Sequence, residues 1–355
     1  MKITKMKKLL LLLLGFFFVS TSFSQDIHFS QYGDAPQMVN PALTAVHYDL
    51  RAIVNYRDQW TSSMSPYKTY AASLEGALRH KKLGKSHLSA GLGFFNDKAG
   101  DAQYNTTNVN LNLAVVVKVA KNGELSLGTQ AAYVQNTVDY NNLKWGTQFN
   151  GFKYDPTRAT YENNQVASAK NFDLGAGINY HSSKSSLYIS SKDGSRFDAG
   201  FAAYHLLQPK NGLYTNSVEK TNIRTIGYFN GMFCKKGSKT CFLPGVFVIN
   251  QGANTSVLSS FMIKWIITEQ TIYTNMKKPF AFSFGGQYRL RDAFIPTFLL
   301  EWDKYAFGAA YDLTLSTMNN ANRGMGGFEI MLRYNWNPGY GRMIGGSMTK
   351  PTFKE

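Results

Sequence analysis

Two cysteines in 355 residues leave no material for a disulfide-stapled scaffold. Six histidines, with no pair at metal-ligand spacing, give no reason to expect a multi-ligand metal site or any other cofactor. Charged residues make up only 17% of the chain, which excludes a charge-rich helical bundle, and the 14% of aromatics excludes a disordered chain. Long apolar runs are also missing: beyond the first 24 residues even Val246 to Asn250 and Phe261 to Ile267 are short and interrupted. With a mean hydropathy of −0.26 the chain is not a polytopic helical membrane protein. A membrane barrel stays open, because its strands hide their apolarity in alternation with polar residues.

The sequence opens on Lys2, Lys5, Lys7 and Lys8, an apolar run from Leu9 to Val19, and Ser20 to Ser24. A positive flank, a short apolar core and a small-residue exit form a secretory signal peptide cut after Ser24. Gln25, not Cys, comes next, so lipid attachment there is excluded. A leader with four lysines and no acid takes the formal charge from +16 to +12 on removal. The remaining basic residues are scattered, with only short Lys doublets. In an exported protein that pattern points to an anionic surface such as phosphate-bearing lipid, or to an acidic partner, and not to nucleic acid.

Period two dominates the rest of the chain. Val109, Leu111, Leu113, Val115, Val117 and Val119 alternate with Asn108, Asn110, Asn112, Ala114, Val116 and Lys118. Successive strand side chains point to opposite sides, so this segment is a strand with one apolar and one largely polar surface. Similar alternation runs from Phe172 to His181, Phe280 to Arg289 and Phe328 to Trp336. A soluble sandwich alternates too, but its outer face carries Lys, Glu and Thr. Here the second face is Gly, Ser, Asn, Ala and isolated charges, which suits a crowded, wet lumen. Tyr56, Trp60, Tyr133, Tyr180, Trp302, Tyr305, Tyr311 and Trp336 fall toward strand ends, like the aromatic girdles of a membrane barrel.

Strands are expected at 48–59, 67–78, 87–96, 106–119, 124–138, 171–181, 187–206 (interrupted by Lys192 to Ser195), 222–234, 241–250, 256–268, 279–289, 293–302, 305–313 and 327–336. The fold class is therefore all-β, a transmembrane antiparallel β-barrel of about 14 strands, without an open edge. The long connections, 139–170, 207–221 and 314–326, all come after odd-numbered strands; Ala120 to Gly123 and Asp303-Lys304 are short turns after even-numbered ones. The organisation is a leader at 1–24, a periplasmic N-terminal segment at 25–47, the barrel at 48–336, and a Gly-rich basic periplasmic tail at 337–355.

Nothing makes an enzyme: there is no Gly-x-Ser-x-Gly elbow and no complete Gly-x-Gly-x-x-Gly loop. Gly91/Gly93 and Gly175/Gly177 lie inside strands, where glycine makes room on the lumen face. Ser86 and His87 point to opposite sides of a strand, and His80 and His87 flank a basic turn, His80 to Lys85, so the site reads as a solvated turn and not as catalytic. Cys234 and Cys241 bracket a turn between two strands, and either a disulfide or two thiols fits. Asp26, His28, Gln31 and Asn40 precede the first strand in a segment that either folds into the lumen as a plug or lies along the surface. Asn55, Arg57 and Gln59 share one side of the first strand and are candidates to line the lumen and hold such a plug. A salt bridge at the rim is the other reading for Arg57.

Gln25-Asp-Ile-His-Phe-Ser-Gln-Tyr32, then Pro36 and Asn40-Pro-Ala42, resemble the opening of the PorP/SprF family of type IX secretion system membrane proteins. The resemblance continues through Asn55-Tyr-Arg-Asp-Gln-Trp60, Pro66-Tyr-Lys-Thr-Tyr70, Leu143-Lys-Trp-Gly-Thr-Gln-Phe149, Tyr311-Asp-Leu-Thr-Leu-Ser316, Ala321-Asn322 and Gly326-Gly-Phe-Glu-Ile330. It implies an outer-membrane barrel working with the type IX secretion and gliding apparatus. Its partners would be machine components or the C-terminal domain of a secreted surface protein, besides outer-membrane lipids. The motifs add Phe29, Trp60, Trp145 and Gln148 to the candidate partner or plug contacts. The interrupted seventh strand and the tail beyond Trp336 depart from the family pattern. The main alternative is a diffusion channel in which inward Lys118, Arg289 and Arg333 select anions; an outer-membrane lipid hydrolase is third.

Overall fold

The computed structural model describes residues 26–60, 66–78, 86–100, 102–140, 143–161, 168–184, 195–210, 220–234, 238–268, 278–317, 319–322 and 324–336. The expected leader, the tail, the turn from His80 to Lys85 and the interruption at 192–194 fall outside these residues.

Fourteen antiparallel strands close into a barrel. They are β1 (Leu50–Gln59), β2 (Tyr67–Leu78), β3 (His87–Ala99), β4 (Tyr104–Ala120), β5 (Gly123–Thr137), β6 (Ser168–Lys184), β7 (Ser195–Tyr204), β8 (Arg224–Cys234), β9 (Thr240–Gln251), β10 (Asn254–Thr268), β11 (Phe280–Arg289), β12 (Ala293–Trp302), β13 (Tyr305–Thr314) and β14 (Met325–Trp336). Each strand pairs with its sequence neighbours. The seam is closed by β1 against β14, in register from Leu50 opposite Trp336 to Gln59 opposite Gly327. Every ladder hydrogen bond is thereby made within the sheet, which is what allows strands to face hydrocarbon.

The outward faces are those read from the alternation. Val109, Leu111, Leu113, Val115, Val117 and Val119 are exposed, whereas Asn108, Asn110, Asn112, Ala114 and Val116 are buried. The connections after even-numbered strands open one mouth, together with the start of β1 and the end of β14. Those after odd-numbered strands open the other. The asymmetry between the two comes from the connections after β5, β7 and β13, since β9 to β10 and β11 to β12 turn tightly at that same mouth. Cys234 and Cys241, opposite each other on β8 and β9, form a disulfide at the short-turn mouth.

Three expectations change. Of the seventh strand expected at 187–206, the described part runs Ser195–Tyr204 and stops before His205, while 187–194 fall outside the described residues. The lumen is not uniformly wet: Ile226, Tyr228, Phe247, Leu258 and Ile295 point inward from β8, β9, β10 and β12 and are buried in one apolar cluster. His87 is not in a solvated turn but buried, its Nε2 3.1 Å from the Ala45 carbonyl oxygen. The inner wall thus has a largely polar side on β2–β6 and, on β7–β10, β12 and β13, an apolar patch bordered by buried polar groups such as Asp198, Arg224, Arg289 and Asp312.

Leu111 lies on the lipid face near the middle of β4. Replacing it with Arg should destabilise the bilayer-inserted barrel by about 2–4 kcal/mol, read from urea unfolding in lipid vesicles.

Candidate functional site

Residues 26–47 run inside the barrel from the long-loop mouth to the short-turn mouth. They form only short helical turns, Tyr32–Asp34, Pro36–Val39 and Pro41–Leu43, because Pro36 and Pro41 interrupt any continuous helix. Most backbone groups in such a segment lack a regular partner, and burying them unpaired is costly. The lumen wall supplies partners.

Asp26 is held at the long-loop mouth. Its backbone N–H donates to Gln251 Oε1 at 2.9 Å, and Gln251 Nε2 donates to Asp26 Oδ1 at 3.1 Å. Arg224 Nη1 lies 3.3 Å from Asp26 Oδ2. His205, in the connection after β7, contacts Asp26 through Nε2 and has Nδ1 2.6 Å from Asp173 Oδ2. Burial alone would lower the His205 pKa, but the Asp173 and Asp26 carboxylates outweigh it and raise the value to about 9. Burial would raise the Asp26 pKa, but Arg224 and His205 hold it well below the usual carboxylate range.

Deeper in, residues 28–31 meet four buried charges from β1, β11, β13 and β14. The Glu329 carboxylate accepts from the Ser30 N–H at 2.8 and 2.9 Å and from the Gln31 N–H at 3.2 Å. Ser30 Oγ donates to Asp312 Oδ1 at 2.9 Å and accepts from Arg289 Nη2 at 2.7 Å. Arg57 bridges Asp312 and Glu329, each at 3.2 Å, and donates to the His28 carbonyl. Two guanidiniums and two carboxylates balance, as burial demands. Phe29 packs beside Ala35, Ala71, Met38 and Phe95.

Past this point Asp34 pairs with Arg333, and its carbonyl accepts from Asn55 Nδ2 at 3.3 Å. An amide ladder, Asn108, Asn110 and Asn112, ends on Gln37, whose Oε1 accepts from Asn112 Nδ2 at 3.0 Å. Tyr32, Val39 and Leu43 face the apolar wall, Tyr32 stacking on Phe247 at 5.0 Å. Asn40, with no exposed surface, donates to the Ile178 carbonyl at 2.9 Å and to Tyr228 Oη at 3.1 Å, and its Oδ1 accepts from the Ala42 N–H at 2.8 Å. Here the chain lies directly on β5 and β6. A Cβ on Gly128 would fall 2.4 Å from Ala42 N, and one on Gly177 2.0 Å from Asn40 Oδ1, so only glycine admits this approach.

Asp26, His28, Phe29, Gln31, Asn40, Asn55 and Arg57 are therefore brought together within the lumen, and Arg57, near the long-loop end of β1, makes its salt bridges as a buried side chain. Gln59 and Trp60 lie apart at the long-loop end of β1, where Trp60 meets Tyr67 edge-on at 5.1 Å. Trp145 and Gln148 belong to the connection after β5. Gln148 is buried there, its Oε1 accepting from the Trp145 N–H at 3.2 Å and its Nε2 donating to the Arg158 carbonyl at 3.3 Å. Arg289 and Arg333 point inward but are neutralised by Asp312, Asp34 and Glu301. Lys118 is half-buried near the end of β4. Glu329, Asp312, Ser30 and Gln37 escaped the sequence reading; acids at inward positions of strands were the available signal.

The same connection carries a second feature. Asn150 Oδ1 accepts from the Phe152 and Lys153 N–H groups, both at 2.9 Å, and Gly151 takes φ 97°, closing a turn between the bridged Phe149 and Tyr154. Phe152 stands 96% exposed at its tip, with Phe149 and Tyr161 also exposed.

The sequence matches the family described as "Type IX secretion system membrane protein PorP/SprF" over residues 21–334. No curated protein matches. Among solved structures, the Ralstonia pickettii toluene transporter TbuX is similar at 9% identity and a TM-score of 0.46, covering 86% of this chain and 94% of that one. BamA from Haemophilus ducreyi lacking POTRA domains 1–3 is similar at 10% identity and a TM-score of 0.41, covering 82% and 71%.

Arg57→Ala would leave the buried carboxylates of Asp312 and Glu329 with the single guanidinium of Arg289 between them and should destabilise the barrel by about 3–5 kcal/mol, measured by urea unfolding in detergent. The His205 contact has its own pH signature. Its folded pKa lies above the ordinary 6.5, so its contribution is complete below about 6.5 and is lost as pH rises through about 9. A spin label at position 27 should gain mobility across that window, and the gain should vanish in His205→Gln.

Proposed function

The chain belongs to the PorP/SprF family of type IX secretion system membrane proteins, a multi-pass β-barrel of the outer membrane, and from that premise we propose that it is a non-enzymatic anchor. Its sealed barrel holds a protein-binding loop at the membrane surface. The observation that carries this reading is the occupied lumen: residues 26–47 are fastened along its length by Glu329, Arg57, Gln37 and Asn40, and inward Arg289 and Arg333 already have carboxylate partners. A path for free anions needs unsatisfied charge around open water, so this arrangement favours an anchor over a diffusion channel.

The partner side is the connection after β5. Its turn is held by its own hydrogen bonds, and an aromatic side chain presented on a preformed turn loses little conformational entropy on docking. Lys153 and Arg158 flank the aromatics, which suits an apolar patch edged by acids. The proposed occupant is a protein of the secretion machinery or the C-terminal domain of a secreted surface protein.

Phe152→Ala combined with Tyr161→Ala should abolish capture of that partner from detergent-solubilised outer membranes and its display on cells, while the barrel still migrates faster unheated than heated in semi-native electrophoresis. Undiminished display by the double variant would refute the loop as the docking element. Purified protein in planar bilayers should be nearly silent; steady, anion-selective conductance would instead support the channel.

A further inference from the structure

Where the internal segment leaves the barrel, three metal-binding side chains that are far apart in sequence converge. His47 ends the segment, His181 comes from β6 and Asp198 from β7, and one ligand atom from each lies within 4.8 Å of the others. His47 Nε2 is 3.2 Å from Asp198 Oδ2, and His181 Nδ1 is 3.0 Å from Asp198 Oδ1. The two imidazoles meet edge to face at 77° with centroids 4.7 Å apart. Zinc binds imidazole nitrogen and carboxylate oxygen at about 2.0–2.2 Å, so neighbouring ligand atoms of a tetrahedral site stand about 3.4 Å apart. Each imidazole already stands near that distance from one Asp198 oxygen, His47 Nε2 from Oδ2 and His181 Nδ1 from Oδ1, so a turn of the carboxylate and rings would bring one oxygen and both nitrogens onto a single ion.

The surroundings are those of a built site. Asp198 Oδ1 also accepts from Asn179 Nδ2 at 3.4 Å, Tyr228 Oη donates to Asn179 Oδ1 at 2.8 Å, and Asn40 Nδ2 donates to Tyr228 Oη at 3.1 Å. This chain of partners fixes the carboxylate, as outer-shell groups do around bound metals. His47 and Asp198 also line a cavity of about 170 Å³, giving room for a water in a fourth position. Arg51, Arg196, Lys264 and Arg333 also line that cavity; Glu75 pairs with Arg51, Glu301 with Lys264 and Arg333, and Asp34 with Arg333.

We propose that His47, His181 and Asp198 bind one divalent first-row transition metal ion, zinc by donor type, clasping the internal segment to β6 and β7 at the short-turn mouth. Two imidazoles and one carboxylate with a free position suit zinc and its neighbours better than calcium or magnesium, which prefer all-oxygen cages. This clasp does not depend on the anchoring role proposed above.

The test uses the full chain in detergent, stripped with chelator and titrated with Zn²⁺, then with Co²⁺. The wild type should take up a single ion per chain and, with Co²⁺, show the visible absorption of a tetrahedral nitrogen–oxygen site. His181→Gln and Asp198→Asn should each weaken binding by at least about 100-fold, whereas His80→Gln should bind like the wild type. His47→Gln, outside the strands, serves if either strand variant fails to show heat-modifiable migration. Failure of the wild type to bind a stoichiometric ion, or equal binding by wild type and all three ligand variants, would overturn the proposal and leave a purely hydrogen-bonded clasp.

Discussion

The Glu329 carboxylate accepting the backbone N–H groups of Ser30 and Gln31 is the contact on which the rest of the interior turns. An irregular segment can be enclosed only if its peptide groups find partners, and a carboxylate can be enclosed only if its charge is met. At Ser30 one arrangement meets both demands. Glu329 and Asp312 satisfy the segment, and Arg57 and Arg289 satisfy the acids. Remove any one and at least one buried group is stranded, so the network is retained or lost together.

The two-sided wall reflects the side chains the segment presents. Gln37 and Asn40 carry amides toward β4 and β6, where Asn112 and the carbonyl of Ile178 answer them. Tyr32, Val39 and Leu43 turn the other way, onto Phe247, Tyr228 and Ile226. The barrel therefore has two apolar surfaces, one toward lipid and one toward its own N-terminal residues. Its outer shell is typical of membrane barrels, while part of its interior is packed like the core of a soluble domain.

Strand existence was legible because one-sided burial imposes a period of two: 67–78 and 293–302 coincide with β2 and β12 at both ends. The apolar lumen was not, because in β9 inward Phe247 sits between outward Val246 and Val248 and the alternation disappears. Asp26, His28, Gln31 and Asn40 marked the segment as unusual, but a non-periodic stretch carries no sign of whether it lies inside or outside. Arg333 looked like a free lumen charge because its partner Asp34 is distant in sequence; Arg289 has Asp292 three residues on, but its buried partner Asp312 comes from another strand. Distance also hid His47, His181 and Asp198, which no spacing rule joins.

Ser30 and its neighbours are gripped from both sides of the closing seam, by Arg57 on β1 and by Glu329 on β14. The same ribbon continues into β1 at its other end, so it reaches its berth either by a free end sliding through a finished cylinder or by the cylinder shutting around it. Only in the second route can the grips form as the first and last strands meet. In that route the tether would act as a template that draws the two edges together, with Arg57 of β1 and Glu329 of β14 paired across the seam.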